Sequence, residues 1–467
     1  MRYDGRRSSD VAQKGFSRRH FFFGSLLAGA VPNVGFGSSA SLKRLGYKSP
    51  NEKLNIAAIG AGGKGNSDIA GCSAENIVAM ADPDDQRAAK TFTAYPRVPK
   101  YKDFRRMLDK EVKNIDAVLV SCPDHLHGTA AMWAMARGKH VYCQKPLTRT
   151  VWEAQQLTMA AEKYRVATQM GNQGYSQVGA RECCEIIWSG DIGNVTEVHA
   201  WTNRPDPYWP QGPDVVPKEA PIPATLDWDA WLADAEPRTY SPAYVPHNWR
   251  AFPDFGCGAI GDMACHILGT PNMAMRLDAP VSVECLKMEG KSQYTFPYRV
   301  AIRFDFPERG TMPAMKLFWY DRMTAQPKFD GIPEGQLIGD KDINGSLFVG
   351  DKGMVTTGCY GERTRLMPDE KMKDYKKPAE VLPRCPGPAE DWVKAHYRDW
   401  IRAAKGGVPA CSNFSVSGPF VQWMLLGVIA MRVEGKLMWD AQKGRFTNNE
   451  EANRLLMPKF RKGWKFV

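Results

Sequence analysis

The sequence predicts an α/β protein in which an N-terminal, doubly wound parallel sheet is followed by a second α/β domain. Two patterns indicate this class: a glycine-rich turn between an apolar run and a helix-compatible stretch, and an alternation of apolar runs with helical stretches over residues 54–171. The length of 467 residues suffices for two or three domains of about 150 residues. Hydrophobic residues make up 43% and charged residues 24%, which excludes a disordered chain, a collagen-like fibre and a polytopic membrane protein.

The first forty residues predict an export signal. Residues 21–31 form an apolar run that is too short to span a bilayer, which takes about 20 apolar residues. A basic stretch precedes this run and small residues follow it, so we expect cleavage after Ala40. Residues 17–22, SRRHFF, resemble a twin-arginine (Tat) signal, and the alternative is a basic, disordered tail. We expect a periplasmic or otherwise exported protein, with a signal peptide at 1–40, a linker at 41–53 and no stable membrane insertion after cleavage.

The net charge does not require a nucleic-acid partner. The chain carries 62 Lys and Arg against 51 Asp and Glu, a formal charge of +11. Residues 1–40 hold six basic and two acidic side chains, so that +7 remains after the leader. No nucleic-acid motif accompanies this excess, and we expect no nucleic-acid partner. The 11 Cys include no C-x-x-C pair, which favours buried thiols over a disulfide framework.

The glycine-rich turn predicts a dinucleotide site. Residues 54–60 (LNIAAIG) form an apolar, β-branched run, and the turn GAGGKG follows at 60–65. A strand, a G-x-G-x-x-G turn, a helix and an acid about 20 residues on form the arrangement that binds NAD, because backbone and a helix N-terminus approach the pyrophosphate. Gly60 would permit the tight turn, Gly62 the approach to the pyrophosphate and Gly65 the packing of helix on strand. The predicted cofactor-binding glycines are Gly60, Gly62, Gly63 and Gly65.

The acidic residue after the next apolar run indicates which dinucleotide binds. This residue is Asp82, whose carboxylate can accept hydrogen bonds from the adenosine ribose and would repel a 2′-phosphate. NAD is therefore favoured over NADP, and the nearby Arg87 moderates the preference.

Two segments at predicted strand ends carry many reactive groups. Further strands are predicted at 115–121, 140–143 and 167–171, with helices at 103–110, 128–137 and 151–164. Ligands of such sheets bind at the carboxyl ends of strands, where this chain has SCPDHLH at 121–127 and CQKPL at 143–147. The cofactor-binding residues predicted here are Pro123, His127, Gln144 and Lys145. A metal bound by Cys122, Asp124, His125 and His127 is the alternative for the first segment. One cofactor-facing histidine explains the same residues, and we expect no metal.

These motifs resemble those of the Gfo/Idh/MocA oxidoreductases. The resemblance rests on the glycine turn, on P-x-x-x-H at 123–127, on x-K-P at 144–146 and on the glycine-rich segment at 248–266, which leads into D-x-x-x-H. The leader is also similar to those of the exported glucose-fructose oxidoreductase and NAD-dependent α-N-acetylgalactosaminidase branches. The family resemblance implies a Rossmann domain, a C-terminal α/β domain with a large open, mostly antiparallel sheet, and a homo-oligomer. The domains would span 54–174 and 175–440, with a tail at 441–467.

The resemblance implies a catalytic cluster of Lys145, Asp262 and His266. Asp262 and His266 lie four residues apart, so they share one face if the segment is helical. His266 would act as acid and base on a substrate hydroxyl, Lys145 as its electrostatic partner, and Asp262 as orienter or second acid. The family usually has Glu where this chain has Gln144. The glutamine removes a negative charge beside Lys145, which changes the pKa expected for Lys145.

The second half supplies candidate substrate contacts. Residues 204–246 form a long irregular stretch rich in Pro, Trp and Tyr, and strands are predicted at 195–203, 281–288, 299–306 and 314–320. Helices are predicted at 389–405 and 418–434. The candidate substrate-binding residues are Arg204, Trp209, Trp249 and Arg250.

These features are compatible with three functions. The first is an NAD(P)-dependent oxidoreductase that acts on a small-molecule carbohydrate and keeps its nicotinamide tightly bound. The second is a redox-assisted glycoside hydrolase or lyase that recycles its NAD, and the third is a non-catalytic nucleotide-binding protein.

Overall fold

The computed structural model describes Lys48 and residues 51–466. The predicted export signal and its cleavage site lie outside the described residues. Two β-sheets with their covering helices make up the described chain. In chain order, the first sheet and its helices are β1 (Asn55–Ile59), α1 (Lys64–Gly71), β2 (Asn76–Ala81), α2 (Asp85–Ala94), β3 (Lys100–Tyr101), α3 (Phe104–Glu111), β4 (Ala117–Val120), α4 (Asp124–Ala136), β5 (His140–Cys143), α5 (Val151–Tyr164) and β6 (Thr168–Met170).

The first sheet is parallel throughout, in the order β3-β2-β1-β4-β5-β6. Its central strands are apolar on both faces because helices cover both. In β1, Ile56 and Ala58 belong to one core cluster, whereas Ala57 and Ile59 belong to the other. This confirms the predicted doubly wound sheet, and the carboxyl ends of β1, β4 and β5 lie side by side.

Helix α4 begins at Asp124, four residues before the predicted start at 128. Gly128, the predicted start, therefore lies inside the helix, where a Cβ would lie 2.6 Å from Oε1 of Glu153 on α5. Pro123 occupies the N-cap and leaves Asp124 in the first turn.

The second half forms the other sheet. Its elements are α6 (Val178–Ser189), β7 (Val195–Trp201), α7 (Trp228–Leu232), α8 (Cys265–Ile267), α9 (Gly269–Ala274), β8 (Ser282–Glu289), β9 (Arg299–Phe306), β10 (Met315–Tyr320), β11 (Gly345–Gly350), β12 (Met354–Thr357), β13 (Arg365–Met367), α10 (Trp392–Ala404), α11 (Phe414–Ala430), β14 (Leu437–Asp440), β15 (Arg445–Phe446) and α12 (Glu450–Arg454). A π-helical turn at Ile260–Ala264 precedes α8.

This sheet has nine strands in the order β13-β12-β11-β7-β10-β9-β8-β14-β15. Every neighbouring pair is antiparallel except β7 and β10, which confirms the expected large, mostly antiparallel sheet. Alternate residues of β9 are buried, and α11 packs on this face through Trp423, whose ring lies 5.3 Å from those of Phe304 and Phe306. Six strands were not predicted: β3, β11, β12, β13, β14 and β15, of which all but β11 have only two to four residues.

The irregular stretch at 204–246 folds around an aromatic cluster of its own. Trp228 and Trp231 stack with centroids 4.8 Å apart, and Tyr244 packs edge-on against Phe255 at 5.2 Å. Only the short helix α7 interrupts its irregular backbone between β7 and residue 246. Burying several large rings supplies the apolar contact that regular structure would otherwise provide.

Two C-terminal segments return to the first sheet. Tyr397 and Trp400 of α10 are buried in the same cluster as Ile56 and Ala58, so α10 covers one face of the parallel sheet. Near the C-terminus, the ring of Trp464 packs on Phe104 of α3 at 6.0 Å. The first sheet is therefore completed by residues far beyond 174.

Two general features concern the whole described chain. Within Lys48 and 51–466, no helix combines the length and the apolar character needed to cross a bilayer. The 11 cysteines all lie among the described residues, and each is a free thiol.

Packing between α1 and β1 generates a first prediction. A Cβ on Gly65 would lie 2.1 Å from the carbonyl oxygen of Gly60, so Gly65→Ala must push α1 away from the strand. We expect a loss of about 1–3 kcal/mol in unfolding free energy, measured by chemical denaturation. Gly353→Ala is the control, since a Cβ there meets its nearest atom at 3.4 Å. Equal stability of the two variants would contradict the packing argument.

Candidate active site

The turn between β1 and α1 has no room for a side chain at Gly60 or at Gly62. Gly60 has φ +87°, and a Cβ there would lie 2.6 Å from the carbonyl oxygen of Ser121 at the end of β4. A Cβ on Gly62 would lie 2.6 Å from the carbonyl oxygen of Arg87. The turn is thus a cradle of bare backbone at a helix N-terminus, a shape and a polarity that fit the diphosphate of a dinucleotide. The structure adds a reason for Gly62 that the sequence analysis missed, since α2 also presses on this position.

Asp82 holds the turn in place. One carboxylate oxygen accepts hydrogen bonds from the amides of Ala61 (2.8 Å) and Gly62 (3.0 Å). Burial raises the pKa of Asp82 above its ordinary value. The Arg87 guanidinium lies beside Gly63, the N-cap of α1 with φ +54°, so both charged groups border the cradle. A contact of Asp82 with the adenosine ribose stays a prediction.

Lys145, Asp262 and Arg250 form one charged group. The Lys145 ammonium donates hydrogen bonds to the Asp262 carboxylate (2.9 Å) and to its backbone carbonyl (2.7 Å). The Arg250 Nε donates to the same carboxylate oxygen at 3.1 Å. Burial alone would raise the pKa of Asp262, but the charges of Lys145 and Arg250 outweigh it and hold this pKa well below its ordinary value. Asp262 is therefore an anion that fixes both cations.

His266 lies next to this group without being bonded to it. Among the described residues, Asp262 makes no hydrogen bond to His266, so the expected role of Asp262 as orienter of the imidazole is corrected: it orients Lys145 and Arg250. The segment between them is a π-helical turn rather than a regular helix. His266 is 7% exposed, and its Nδ1 is buried without a partner. Burial, and then the charge of Lys145, hold the pKa of His266 far below its ordinary value, so the ring is neutral and is a weaker base than a free histidine.

Two aromatic residues that the sequence analysis missed form the wall beside His266. The Tyr360 ring lies 4.7 Å from the imidazole and 5.1 Å from the ring of Trp392, the first residue of α10. Tyr360 follows β12, on a hairpin that the sequence did not predict, and no local motif marks it. Burial raises the pKa of Tyr360 above its ordinary value. The Arg204 guanidinium lies 3.4 Å above the Tyr208 ring, and no contact with this wall is seen among the described residues.

The two tryptophans proposed to stack on a sugar have another role. Trp209 and Trp249 are each only 5% exposed and belong to the aromatic cluster of the 204–259 region. The Arg250 guanidinium lies 4.2 Å from the centre of the Trp249 ring. Their rings are covered by protein, so the expectation of sugar stacking is corrected: they support Arg250 from behind.

The segment at 121–127 places His127 against backbone carbonyls and not toward the cofactor. Both ring nitrogens of His127 lie against backbone carbonyls, Nδ1 at 2.7 Å from Pro146 and Nε2 at 2.8 Å from Cys122. The expectation that this imidazole faces the cofactor is therefore corrected, because the ring joins the two strand-end loops.

Asp124 is 4% exposed, and burial raises its pKa to about 7 against the opposing charges of Arg250 and Lys145. A second carboxyl group thus lies close to the catalytic candidates.

Gln144 is paired with a buried carboxylate. Its amide Nε2 lies 3.0 Å from both oxygens of Asp68, which is 0% exposed. Asp68 also accepts hydrogen bonds from Ser121 and Tyr397, each at 2.6 Å. An ionised Glu at 144 has no proton to donate and would face Asp68 with a like charge. The negative charge missing from position 144 therefore has a counterpart at position 68, on α1.

The Gln144–Asp68 pair gives a prediction. Gln144→Glu should lower the unfolding free energy by about 2–3 kcal/mol at pH 8, because a buried hydrogen bond becomes a like-charge contact. The introduced carboxyl has a higher pKa in the folded than in the unfolded protein. The loss of unfolding free energy is therefore small at acid pH and grows as the pH rises toward the folded-state pKa. Urea denaturation at pH 5 and pH 8 measures this.

Two further variants control the pair. Gln86→Glu makes the same change at an exposed position of α2 and should shift stability by less than about 0.5 kcal/mol. Adding Asp68→Asn to Gln144→Glu should restore part of the loss. A Gln144→Glu protein as stable as the parent at pH 8 would contradict the argument.

Comparison with known proteins agrees with this geometry. Residues 54–172 match the model of an oxidoreductase family with an NAD-binding Rossmann fold, and residues 198–300 match the C-terminal alpha/beta domain of the same family. The inositol 2-dehydrogenase of Serratia proteamaculans is 27% identical over 237 residues, 50% of this chain and 68% of that protein. A glycosyl hydrolase family 109 protein of Solibacter usitatus is 28% identical over 185 residues, 36% of this chain and 41% of that protein. The chain spans about half the length of the curated relatives it matches.

A solved structure shares the fold over most of the chain. The WlbA dehydrogenase of Bordetella pertussis, in complex with NADH and UDP-GlcNAcA, superposes with a TM-score of 0.57 at 15% identity, covering 83% of this chain and 99% of that one. The two matched domains lie where the structure places the parallel and the antiparallel sheet. The chain belongs to the Gfo/Idh/MocA oxidoreductase family and carries its NAD-binding Rossmann domain.

Proposed function

We propose that this protein oxidises a hydroxyl group of a sugar or sugar derivative by hydride transfer to a tightly bound nicotinamide. The observation that carries the proposal is the Lys145–Asp262–Arg250 group beside a neutral, buried His266, at the strand ends that adjoin the glycine cradle. When bound there, the nicotinamide supplies the hydride acceptor. The inositol dehydrogenase relative and the sugar-nucleotide complex of the structural neighbour support a polyhydroxylated substrate.

The residues divide the work between proton transfer and charge. His266, neutral in the folded protein, accepts the proton of the substrate hydroxyl. The Lys145 ammonium, held by Asp262, stabilises the oxygen as it loses that proton. Arg250 and Arg204 offer donors to further hydroxyl or acid groups of the substrate. Tyr360 packs against the imidazole and limits the water that reaches it.

Contacts of the 204–246 stretch support retention of the cofactor. The carbonyl of Thr225 accepts hydrogen bonds from the Asp85 amide (3.1 Å) and from the Lys102 ammonium (2.7 Å), and the Asp227 amide donates to Pro83 at 2.9 Å. These contacts bind the stretch to the chain directly after Asp82, where the adenosine end of a dinucleotide would lie. A cofactor enclosed in this way dissociates only when the contacts open.

Export is the reason that retention matters. The sequence of residues 1–40 supports a twin-arginine leader, and a compartment outside the cell interior holds no pool of NAD to exchange. We therefore propose that the enzyme is exported with its cofactor and regenerates it in each cycle. The homo-oligomer and the lack of a nucleic-acid partner stay predictions.

The catalytic assignment predicts a separation of chemistry from binding. Lys145→Met and His266→Gln, made separately, should each lower hydride transfer by a factor of about 10²–10⁴ while the bound NAD content stays near one per chain. Stopped-flow absorbance at 340 nm after sugar addition and nucleotide release on denaturation measure the two quantities. Lys328→Met, at an exposed lysine far out on a loop, is the control and should change neither. Full turnover in both catalytic variants would refute the assignment.

A second candidate function is redox-assisted cleavage of a glycoside, supported by the similarity to the glycosyl hydrolase family 109 protein. A hydride would leave a ring carbon, the adjacent C–H would lose its proton, elimination would expel the aglycone, and water and hydride would add back. The net reaction is hydrolysis without net NADH.

Product analysis of the exported protein separates these functions. The processed protein with its own bound nucleotide is incubated with free sugars and with aryl glycosides in parallel. We expect reduction at 340 nm with free sugars and no aglycone release, whereas catalytic aglycone release without lasting absorbance would establish the glycosidase. Protein that carries no dinucleotide after native purification would support the non-catalytic alternative instead.

A further inference from the structure

A pair of cysteines flanks α10 in the sequence. Cys385 is in the segment between β13 and α10, and Cys411 is in the loop between α10 and α11. Their sulfur atoms and a carboxylate oxygen of Asp399 all lie within 4.8 Å of one another. Both cysteines are partly exposed, unlike Cys183 and Cys184, which are buried. Nothing in the reaction proposed above uses this pair.

The group that faces Cys385 is a buried arginine. Arg181 of α6 is 5% exposed, and its guanidinium donates to the carbonyls of Tyr175 (2.6 Å), Gln177 (3.2 Å) and Pro383 (2.6 Å). Its remaining hydrogen bond goes from Nη2 to the Cys385 sulfur at 3.2 Å. Among the ion pairs of the described chain, none joins Arg181 to a carboxylate. A buried guanidinium requires a counter-charge, and the Cys385 sulfur is the one partner here that can carry it.

The two thiols differ in their surroundings. The pKa of Cys385 is lowered by a hydrogen bond from the Cys411 thiol and then by the charge of Arg181. The pKa of Cys411 is raised by the same hydrogen bond and by burial. The Ser176 hydroxyl lies 3.7 Å from the Cys411 sulfur. One sulfur therefore tends to the thiolate, which is the nucleophilic form, while its neighbour keeps a proton.

The same cluster is poorly suited to a metal ion. The two Asp399 oxygens accept hydrogen bonds from Arg402 at 2.6 Å and from the Cys411 amide at 2.7 Å. The nearby His396 has Nδ1 at 2.7 Å from the Ser176 hydroxyl and Nε2 at 2.9 Å from the Met170 carbonyl. Nitrogen and oxygen ligands are thus already engaged, and a cation would lie beside the Arg181 guanidinium.

We propose that Cys385 and Cys411 are a redox-active dithiol that a hydroperoxide converts to a disulfide. The Cys385 thiolate attacks the distal peroxide oxygen, the O–O bond breaks, and the leaving oxygen takes up a proton, which gives water from hydrogen peroxide and a sulfenic acid on Cys385. The Cys411 sulfur then attacks that sulfur, an S–S bond forms, and the hydroxyl leaves as water with the Cys411 proton. Two thiols are oxidised and one peroxide is reduced.

The disulfide would close a loop around α10. That helix begins with Trp392, which packs on Tyr360 beside His266, and it carries Tyr397, which donates to Asp68. Joining residues 385 and 411 ties the two ends of this helix to each other. Oxidation would therefore restrict an element that supports both the cofactor turn and the wall of the proposed catalytic cluster.

The test uses the full folded protein with its bound nucleotide. Reduced protein is freed of reductant, treated with one equivalent of hydrogen peroxide, alkylated under denaturing conditions and mapped by mass spectrometry. We expect a crosslinked pair of peptides containing Cys385 and Cys411, two hydrogens lighter than the reduced pair, while the partly exposed Cys285 stays fully alkylated. Dithiothreitol should reverse the change.

Single variants separate the two roles. Cys411→Ser should stop at a sulfenic acid on Cys385 that dimedone traps, whereas Cys385→Ser should leave Cys411 reduced. Cys285→Ser is the matched control and should form the crosslink like the parent. Oxidation of Cys385 no faster than that of Cys285, or stoichiometric zinc that protects both thiols, would overturn the proposal.

Discussion

The buried carboxylate of Asp68 is the constraint on which the cofactor side of this protein depends. It receives hydrogen bonds from Lys64 on its own helix and from three segments distant in sequence: Ser121 after β4, Gln144 after β5 and Tyr397 on α10. Hydrogen bonds to a charged group each contribute about 1.5–3 kcal/mol, and an unmade one leaves a buried donor without a partner. The glycine turn, both strand ends and the C-terminal helix are therefore held in one geometry by a single side chain.

The charged group around Asp262 is connected to Asp68 through residues 144 and 145. Gln144 donates to Asp68, and the next residue, Lys145, reaches across to Asp262 on the other domain. The carboxylates at 68 and 262 thus bind neighbouring residues of one short segment, and residue 144 must donate a hydrogen bond to Asp68. The negative charge that the family usually has at position 144 is present in this chain at Asp68 on α1, which no sequence motif indicated.

The sequence predicted what periodicity and local motifs encode. Parallel strands and the glycine turn follow from runs of a few residues. The proposed catalytic cluster followed from the family resemblance, and the structure brings Lys145, Asp262 and His266 close together. The roles of Asp262, His127, Trp209 and Trp249 depend on long-range contacts, which no local pattern shows. A tryptophan that supports an arginine has the same sequence signature as one that stacks on a sugar. Tyr360 was missed because the short hairpin that carries it has no periodicity of its own.

The position of α10 links the parts that the domain boundaries separate. Its residues come after the second sheet in sequence, yet Trp400 is fully buried against the first, and Trp392 packs on the catalytic wall. Any change that loosens α10 removes a donor from Asp68 and a support from Tyr360 at once. The segments at its two ends carry Cys385 and Cys411, so the proposed disulfide would act on both of these supports from outside the candidate site.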